Sequence, residues 1–346
     1  MNKDSFNSLL ISSNDFAEIS NLDYSNRVAY DKNLLKRYDL EIIEISENPN
    51  FHCITYKRTH FDIGDNTLIF CNTSMIDNLF YHLKSLKKLS NITLITHQTD
   101  QLITKDIFDK RPDSIKKWYS VNVGYSHEDL IPIPIGIASD FSLKNLNRND
   151  FLRLKNSNYK KNEINMYLNF QINTNFKERY ELFKYFEDES WVTIDEPNLS
   201  KLEYRNNIIN SSFVICPWGN GIDTHRFWET LYLGSIPITK NHITYQAAKH
   251  LPVLFVEDYK DINFELLQNF MHSLDVENIN LESLYFPYWK NIIIKKNTEN
   301  YTYKITEKKT TLYFFKIKRF VFKKYLKVLK FFKTLKNKII KKTKAL

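Results

Sequence analysis

The sequence predicts an α/β protein built from two β/α halves that face each other across a cleft, with a basic amphipathic helix at the end. Three observations predict it. Short β-rich runs alternate with helix-patterned stretches in two successive series, a polar stretch separates the series, and the end of the chain sets apolar residues at helical spacing among lysines. At 346 residues and 42% hydrophobic, the chain can bury two cores of ordinary size.

In the first series, residues 40–45, 51–56, 67–71, 92–96, 118–123 and 131–135 read as strands. Residues 75–86 place apolar side chains three and four apart, the stripe of a helix lying on a sheet, with Thr73 or Ser74 as its cap. Between 140 and 163 the apolar content falls and Asn, Lys, Arg and Ser take over, which sets a boundary between a domain over 1–150 and a second over 151–302. The alternation then restarts. Strands are expected at 164–170, 191–194, 213–216, 236–239 and 253–256, and helices at 176–186, 201–209 and 224–233. Two such series amount to two Rossmann-like domains, and clefts between domains of that kind hold ligands.

Composition narrows the class further. No apolar run approaches the roughly 18 to 20 residues of a membrane span, and the first ten residues lack a signal-peptide pattern, so a cytoplasmic location is expected. Cys53, Cys71 and Cys216 lie far apart in apolar runs without metal-binding spacing and read as reduced core residues, although three cysteines leave room for one disulfide. Residues 303–346 hold sixteen Lys and Arg against one acid, Glu307, so this tail carries +15 of a formal charge of +9 and the remainder carries −6. Within the tail, Phe314, Ile317, Val321, Tyr325, Val328, Phe332, Leu335 and Ile339 recur at spacings of three or four. That pattern favours an anionic membrane surface as partner, over docking on the acidic body of the protein or on nucleic acid; no nucleic acid is expected.

The chemistry concentrates in FVICPWGNGIDTHRFWETLYLGSIPI, residues 213–238. Of six glycines in the chain, Gly219, Gly221 and Gly234 fall here. Gly219, Asn220 and Gly221 tolerate positive φ and leave amides uncovered, Asp223 or Thr224 can cap the following helix, and Gly234 can end it. Free amides at a helix N-terminus suit a diphosphate. Arg226 and Glu229, three apart, share a helix face, where a guanidinium can clamp phosphate and a carboxylate can accept ribose hydroxyls. A plain βαβ unit with a surface Arg–Glu pair is the alternative reading of the same residues.

CPWGNGIDTHRFWETLYLGSIPI resembles the C-terminal motif of exostosin-like glycosyltransferases, a C-P-x-G loop followed by R-x-x-E-x-L-x-x-G-x-I-P. Cys216, Pro217, Gly219, Arg226, Glu229, Leu231, Gly234, Ile236 and Pro237 all match. A weaker similarity of arrangement covers roughly residues 65 to 260, with an L-I-T-H-x-x-D element from Leu94 to Asp100 and I-P-I-G-I from Ile133 to Ile137. The resemblance implies a GT-B fold, a nucleotide-sugar donor held mainly by the second domain (UDP being that family's common nucleotide), and transfer with inversion; the basic tail, by placing the chain at a membrane, favours a glycan or lipid-linked glycan as acceptor. A fucosyltransferase-like GT-B enzyme, or a tethered binder without catalysis, would share part of the pattern.

Inverting transfer needs a base at the acceptor hydroxyl. His97 and Asp100 follow the strand at 92–96, at the end where open sheets place ligand contacts, and are the candidates. Asn169, Asn173, Thr174 and Arg179 follow the first strand of the second series, and Arg179 could reach the diphosphate. His127 and His225 rank lower, the latter as a residue packed beside the donor helix. With no D-x-D pair and no clustered His and Cys, a metal-independent reaction is expected, with no cofactor besides the nucleotide sugar as co-substrate.

Overall fold

Apolar runs short enough to be strands, separated by capped helices, are what the chain forms in a computed structural model that describes residues 6–48, 51–139, 141–142, 145–152, 156–294 and 300–308, with 313, 314, 316, 317, 320, 321, 324, 325 and 327–329. The first half contains α1 (Ser13–Glu18), β1 (Leu22–Ala29), β2 (Leu40–Asn48), β3 (Phe51–Arg58), β4 (His60–Asp65), β5 (Leu68–Asn72), α2 (Ile76–Lys84), β6 (Ile92–His97), α3 (Lys105–Phe108), β7 (Ile115–Ser120) and β8 (Leu130–Pro132). Its seven-stranded sheet runs β2-β3-β1-β5-β6-β7-β8. From β1 to β8 neighbouring strands are parallel, and β3 and β2 add an antiparallel edge. Every residue of β5 is buried, as expected of a strand covered on both faces, and α2 lays Ile76, Leu79, Phe80 and Leu83 on the sheet.

The second half contains β9 (Met166–Leu168), α4 (Phe176–Phe186), β10 (Val192–Ile194), α5 (Lys201–Ile209), β11 (Phe213–Ile215), α6 (His225–Tyr232), β12 (Ile236–Lys240), β13 (Leu254–Val256), α7 (Phe264–Ser273) and α8 (Phe286–Ile293). Its sheet is wholly parallel in the order β10-β9-β11-β12-β13. The chain winds outward from β9 in one direction and then in the other, leaving a crevice beside the carboxyl ends of β9 and β11. Glycine meets a definite need at Gly234, which takes φ +76° behind α6 while the Ser235 amide donates to the Thr230 carbonyl.

The two halves share one hydrophobic cluster, and the first half has a second of its own. Leu10, Ile11 and Phe16 near the start of the chain pack in the same cluster as Ile133 to Ile137 from beyond β8 and Trp228 and Tyr232 of α6. The Tyr232 hydroxyl accepts from the Ile11 amide (3.1 Å) and donates to the Leu284 carbonyl (2.6 Å), and the Phe286 amide donates to Leu9 (2.8 Å). Cys53, Cys71 and Cys216 are buried and unbridged.

β14 (Asn300–Thr306) returns to the first half and pairs antiparallel with β4. The next residue, Glu307, is buried, ion-pairs with the fully buried Lys57 and accepts from Asn78 Nδ2 (3.2 Å). The lone acid of the basic end is thus an internal anchor. Beyond it, the described residues between 313 and 329 are helical. Tyr313, Phe314, Ile317, Phe320, Val321, Tyr325, Val328 and Leu329 are exposed there, and Lys316 meets Glu41 of β2 at 3.0 Å. Phe332, Leu335 and Ile339 lie outside the described residues. Among the described residues, no helix is long and apolar enough to cross a membrane.

Candidate functional site

The parallel strands of both sheets turn their carboxyl ends toward one cleft with two adjoining compartments. The larger, about 370 Å³, lies over the crevice of the second sheet. Asn169, Gln171 and Thr174 from beyond β9, the Gly219–Gly221 loop from beyond β11, and Arg226 and Glu229 of α6 line it. The smaller, about 290 Å³, lies over the first sheet between His97, Gln98 and Asp100 on one side and Ser139, Phe141 and Ser142 on the other. Asp100, Ile135, Asn145 and His225 line both and form the wall between them.

In the larger compartment the face carrying Arg226 and Glu229 turns inward. Glu229 is 4% exposed and its Oε2 accepts from the Tyr204 hydroxyl at 2.9 Å. Burial raises its pKa, against the lowering influence of His225, the Tyr204 hydrogen bond and Arg226. Arg226 lies near the face of Phe170, 5.7 Å from its centroid, and its buried Nε has no hydrogen-bond partner among the described residues. Thr224, the N-cap of α6, makes no side-chain cap bond, and its buried Oγ1 also has no partner among the described residues. The start of α6 thus has no side-chain cap, and it carries a guanidinium nitrogen and a hydroxyl that find no hydrogen-bond partner among the described residues.

The glycine-rich loop is held differently from expectation. Neither Gly219 nor Gly221 has a positive φ; at both, a neighbouring side chain approaches closely. A Cβ on Gly219 would come within 3.2 Å of Arg179 Nη2, and one on Gly221 within 3.0 Å of Asn122 Oδ1. Nor are the loop amides uniformly free. Gly219 donates to the Gly221 carbonyl, and Ile222 and Asp223 donate to Asn122 Oδ1 at 2.9 and 2.8 Å. Asn122, buried at φ 52° just beyond β7, is therefore the first half's hold on this loop.

Asp223 faces the same seam. Its Oδ2 accepts from the Ile135 amide and its Oδ1 from the Trp228 indole, both at 2.8 Å, so it staples the halves while it also lines the larger compartment. Burial pushes its pKa up to about 7. Arg179 is 4% exposed, and its guanidinium donates to the carbonyls of Gln171, Pro217 and Trp218 and to Thr174 Oγ1. It braces the loop from below, with burial and the nearby Arg226 lowering its pKa to about 10. Asn173 is exposed outside the compartment lining, where Gln171 and Thr174 stand instead, and Asn220 is exposed at the rim.

The chain matches no protein-family model and no curated protein.

On the first-half side, His97 and Asp100 have different surroundings. His97 is 1% exposed; its Nδ1 accepts from the Gln98 amide (2.8 Å) and its Nε2 donates to the Pro134 carbonyl (3.3 Å). Burial drives its pKa down to about 3. With both nitrogens engaged, the ring offers no lone pair to the cleft. Asp100 is exposed on the shared wall. His127 packs against Phe108 with 4.7 Å between centroids and lines neither compartment. His225, ranked low from sequence, sits between the compartments with Nδ1 on the Gly136 carbonyl at 2.8 Å. Only that carbonyl, 89 residues away, reveals its position.

Proposed function

We propose that this chain is an inverting glycosyltransferase of GT-B architecture, similar to exostosin-like enzymes, moving a sugar from a nucleotide diphosphate donor, with UDP the default nucleotide, to a glycan or lipid-linked glycan acceptor. One observation carries the reading. The buried Glu229 carboxylate and the unpaired Arg226 nitrogen share the face of an uncapped helix inside a compartment at the carboxyl ends of a doubly wound sheet. Glu229 would accept the ribose hydroxyls. Arg226 and the first amides of α6 would hold the diphosphate and meet the charge that develops as it departs. Asn122 would keep the loop in place, together with Arg179 and Asp223, which also line the compartment.

The acceptor belongs in the smaller compartment, whose walls carry Ser139, Ser142 and Gln98 beside Phe141, a lining of hydrogen-bonding groups and an aromatic ring suited to a sugar. Its reacting hydroxyl would meet the anomeric carbon at the shared wall. Bonding by the new oxygen on the face opposite the departing diphosphate inverts the centre. We also propose that the exposed apolar and basic residues after 308 hold the enzyme against an anionic membrane surface, where a lipid-linked or growing surface glycan would be reached.

The test is turnover of a panel of nucleotide sugars with EDTA present, together with calorimetric binding of the free nucleotide diphosphate. One donor should turn over, and Glu229→Ala and Arg226→Ala should each weaken nucleotide binding by about 10- to 100-fold, the worth of a charged hydrogen bond. Wild-type protein that neither binds nor cleaves any donor would end this reading.

A further inference from the structure

Among the described residues, the wall between the compartments holds two titratable side chains, Asp100 and His225, and they are presented in different ways. Asp100 is exposed. His225 is half-buried at the first position of α6, and its ring is fixed by a 2.8 Å contact from Nδ1 to the Gly136 carbonyl. A carbonyl can only accept, so Nδ1 carries the proton. In the neutral ring the lone pair then resides on Nε2.

The position of that carbonyl is built in. Gly136 takes φ +65°, and a Cβ there would come within 2.1 Å of the Ile11 carbonyl, so only glycine lets the segment beyond β8 close against the start of the chain. The Ile137 amide donates to that same Ile11 carbonyl at 2.8 Å, which fixes the turn from its other side. His225 and Arg226, neighbours on a helix, point about 100° apart, as a rise of 3.6 residues per turn requires. Arg226 accordingly lines the larger compartment alone, while His225 lines both.

We infer that His225, not His97, is the histidine that acts as general base in the proposed transfer, with Nε2 accepting the proton of the acceptor hydroxyl. The inference rests on the glycosyltransferase reading and names the base of that site. As the acceptor oxygen bonds to the anomeric carbon, its proton passes to Nε2. The bond from that carbon to the phosphate oxygen breaks, and its electron pair leaves with the nucleotide diphosphate beside Arg226. The imidazolium then returns its proton to water.

Asparagine separates this role from a structural one, because its amide nitrogen stands where Nδ1 stands and can still donate to Gly136, while nothing replaces Nε2. The experiment uses the full chain and the nucleotide sugar that it cleaves, with two probes as acceptor: water, which must lose a proton, and azide, which has none to lose. His225→Asn should cut hydrolysis by about 10²-fold or more, leave glycosyl azide formation within a few fold of wild type, and melt at the wild-type temperature. A parallel loss with both acceptors would make His225 structural. Unchanged hydrolysis would overturn the inference, and if Asp100→Asn then showed the azide-rescued loss, the base would be Asp100. Wild-type protein that cleaves no nucleotide sugar would take this inference down together with the reading beneath it.

Discussion

Burying an imidazole with both nitrogens bonded makes His97 a liability in acid. Its pKa falls from 6.5 to about 3 because burial penalises the charged ring. The folded chain therefore binds this proton more weakly than the unfolded chain, so the stabilisation is complete above pH 6.5 and is lost as pH falls from 6.5 toward 3. At pH 5 the loss is about 2 kcal/mol at 1.36 kcal/mol per unit. Asp223 acts in the opposite sense over an overlapping window. Its pKa is raised to about 7, so its contribution is fullest below its ordinary value of 3.8 and is lost as pH rises through 7. The wild-type slope mixes the two, but a difference against one variant does not. His97→Gln keeps an amide to donate to Pro134 and a carbonyl to accept from Gln98, and it cannot ionise. In urea titrations the stability gap between wild type and this variant should shift by about 2 kcal/mol in the variant's favour from pH 7 to pH 5. A constant gap would mean that His97 titrates normally and has a free nitrogen after all.

At the scale of elements, the loop after β11 depends on contacts that cross the seam. Gly221 lies against Asn122, whose Oδ1 already holds two loop amides, so a methyl group there cannot be relieved by turning Asn122 away without breaking both bonds. Gly221→Ala should cost about 1–3 kcal/mol, the range for an overpacked site. The penalty should shrink by more than about 0.5 kcal/mol in an Asn122→Ala background, where the obstructing side chain is gone. Additive losses in that double-mutant cycle would show that the contact is not what makes glycine necessary. The same dependence on distant partners separates what the chain displays from what it conceals. α5 is legible over Lys201–Ile209 because Ser200 and Glu203 form its capping box within three residues. β1 is not, although it sits mid-sheet, because it buries Ser25 and Asn26. Their partners are the Tyr56 carbonyl and Gln98 Nε2, 31 and 72 residues away. That Glu229 and Arg226 share a helix face is legible in their spacing, whereas the partners of Arg179, Asp223 and His225 are not, since each bonds to a carbonyl or amide in another element.

Across the whole molecule, charge and attachment divide at Glu307. The body through residue 302 carries −6 and the end carries +15, yet the end is not simply drawn onto the acidic body. β14 and the Lys57–Glu307 pair pin it to the first half, and the helical residues beyond leave Phe314, Phe320, Val321 and Tyr325 exposed. Apolar side chains left uncovered among lysines match an anionic bilayer, which offers acyl chains to one face and headgroup charge to the other, at about 1 kcal/mol per Lys or Arg near the surface. A truncation after residue 308 keeps β14 and the buried anchor while removing the helix, so it separates the proposed membrane contact from the fold. In flotation, the full chain should rise with vesicles of phosphatidylcholine and phosphatidylglycerol, rise less as salt screens the headgroups, and stay down with phosphatidylcholine alone. The truncated chain should stay down with both while keeping the full chain's affinity for the nucleotide diphosphate. Equal flotation of the two chains would move the membrane contact to the body. If neither chain floated, the exposed apolar face would require a protein partner in place of the bilayer.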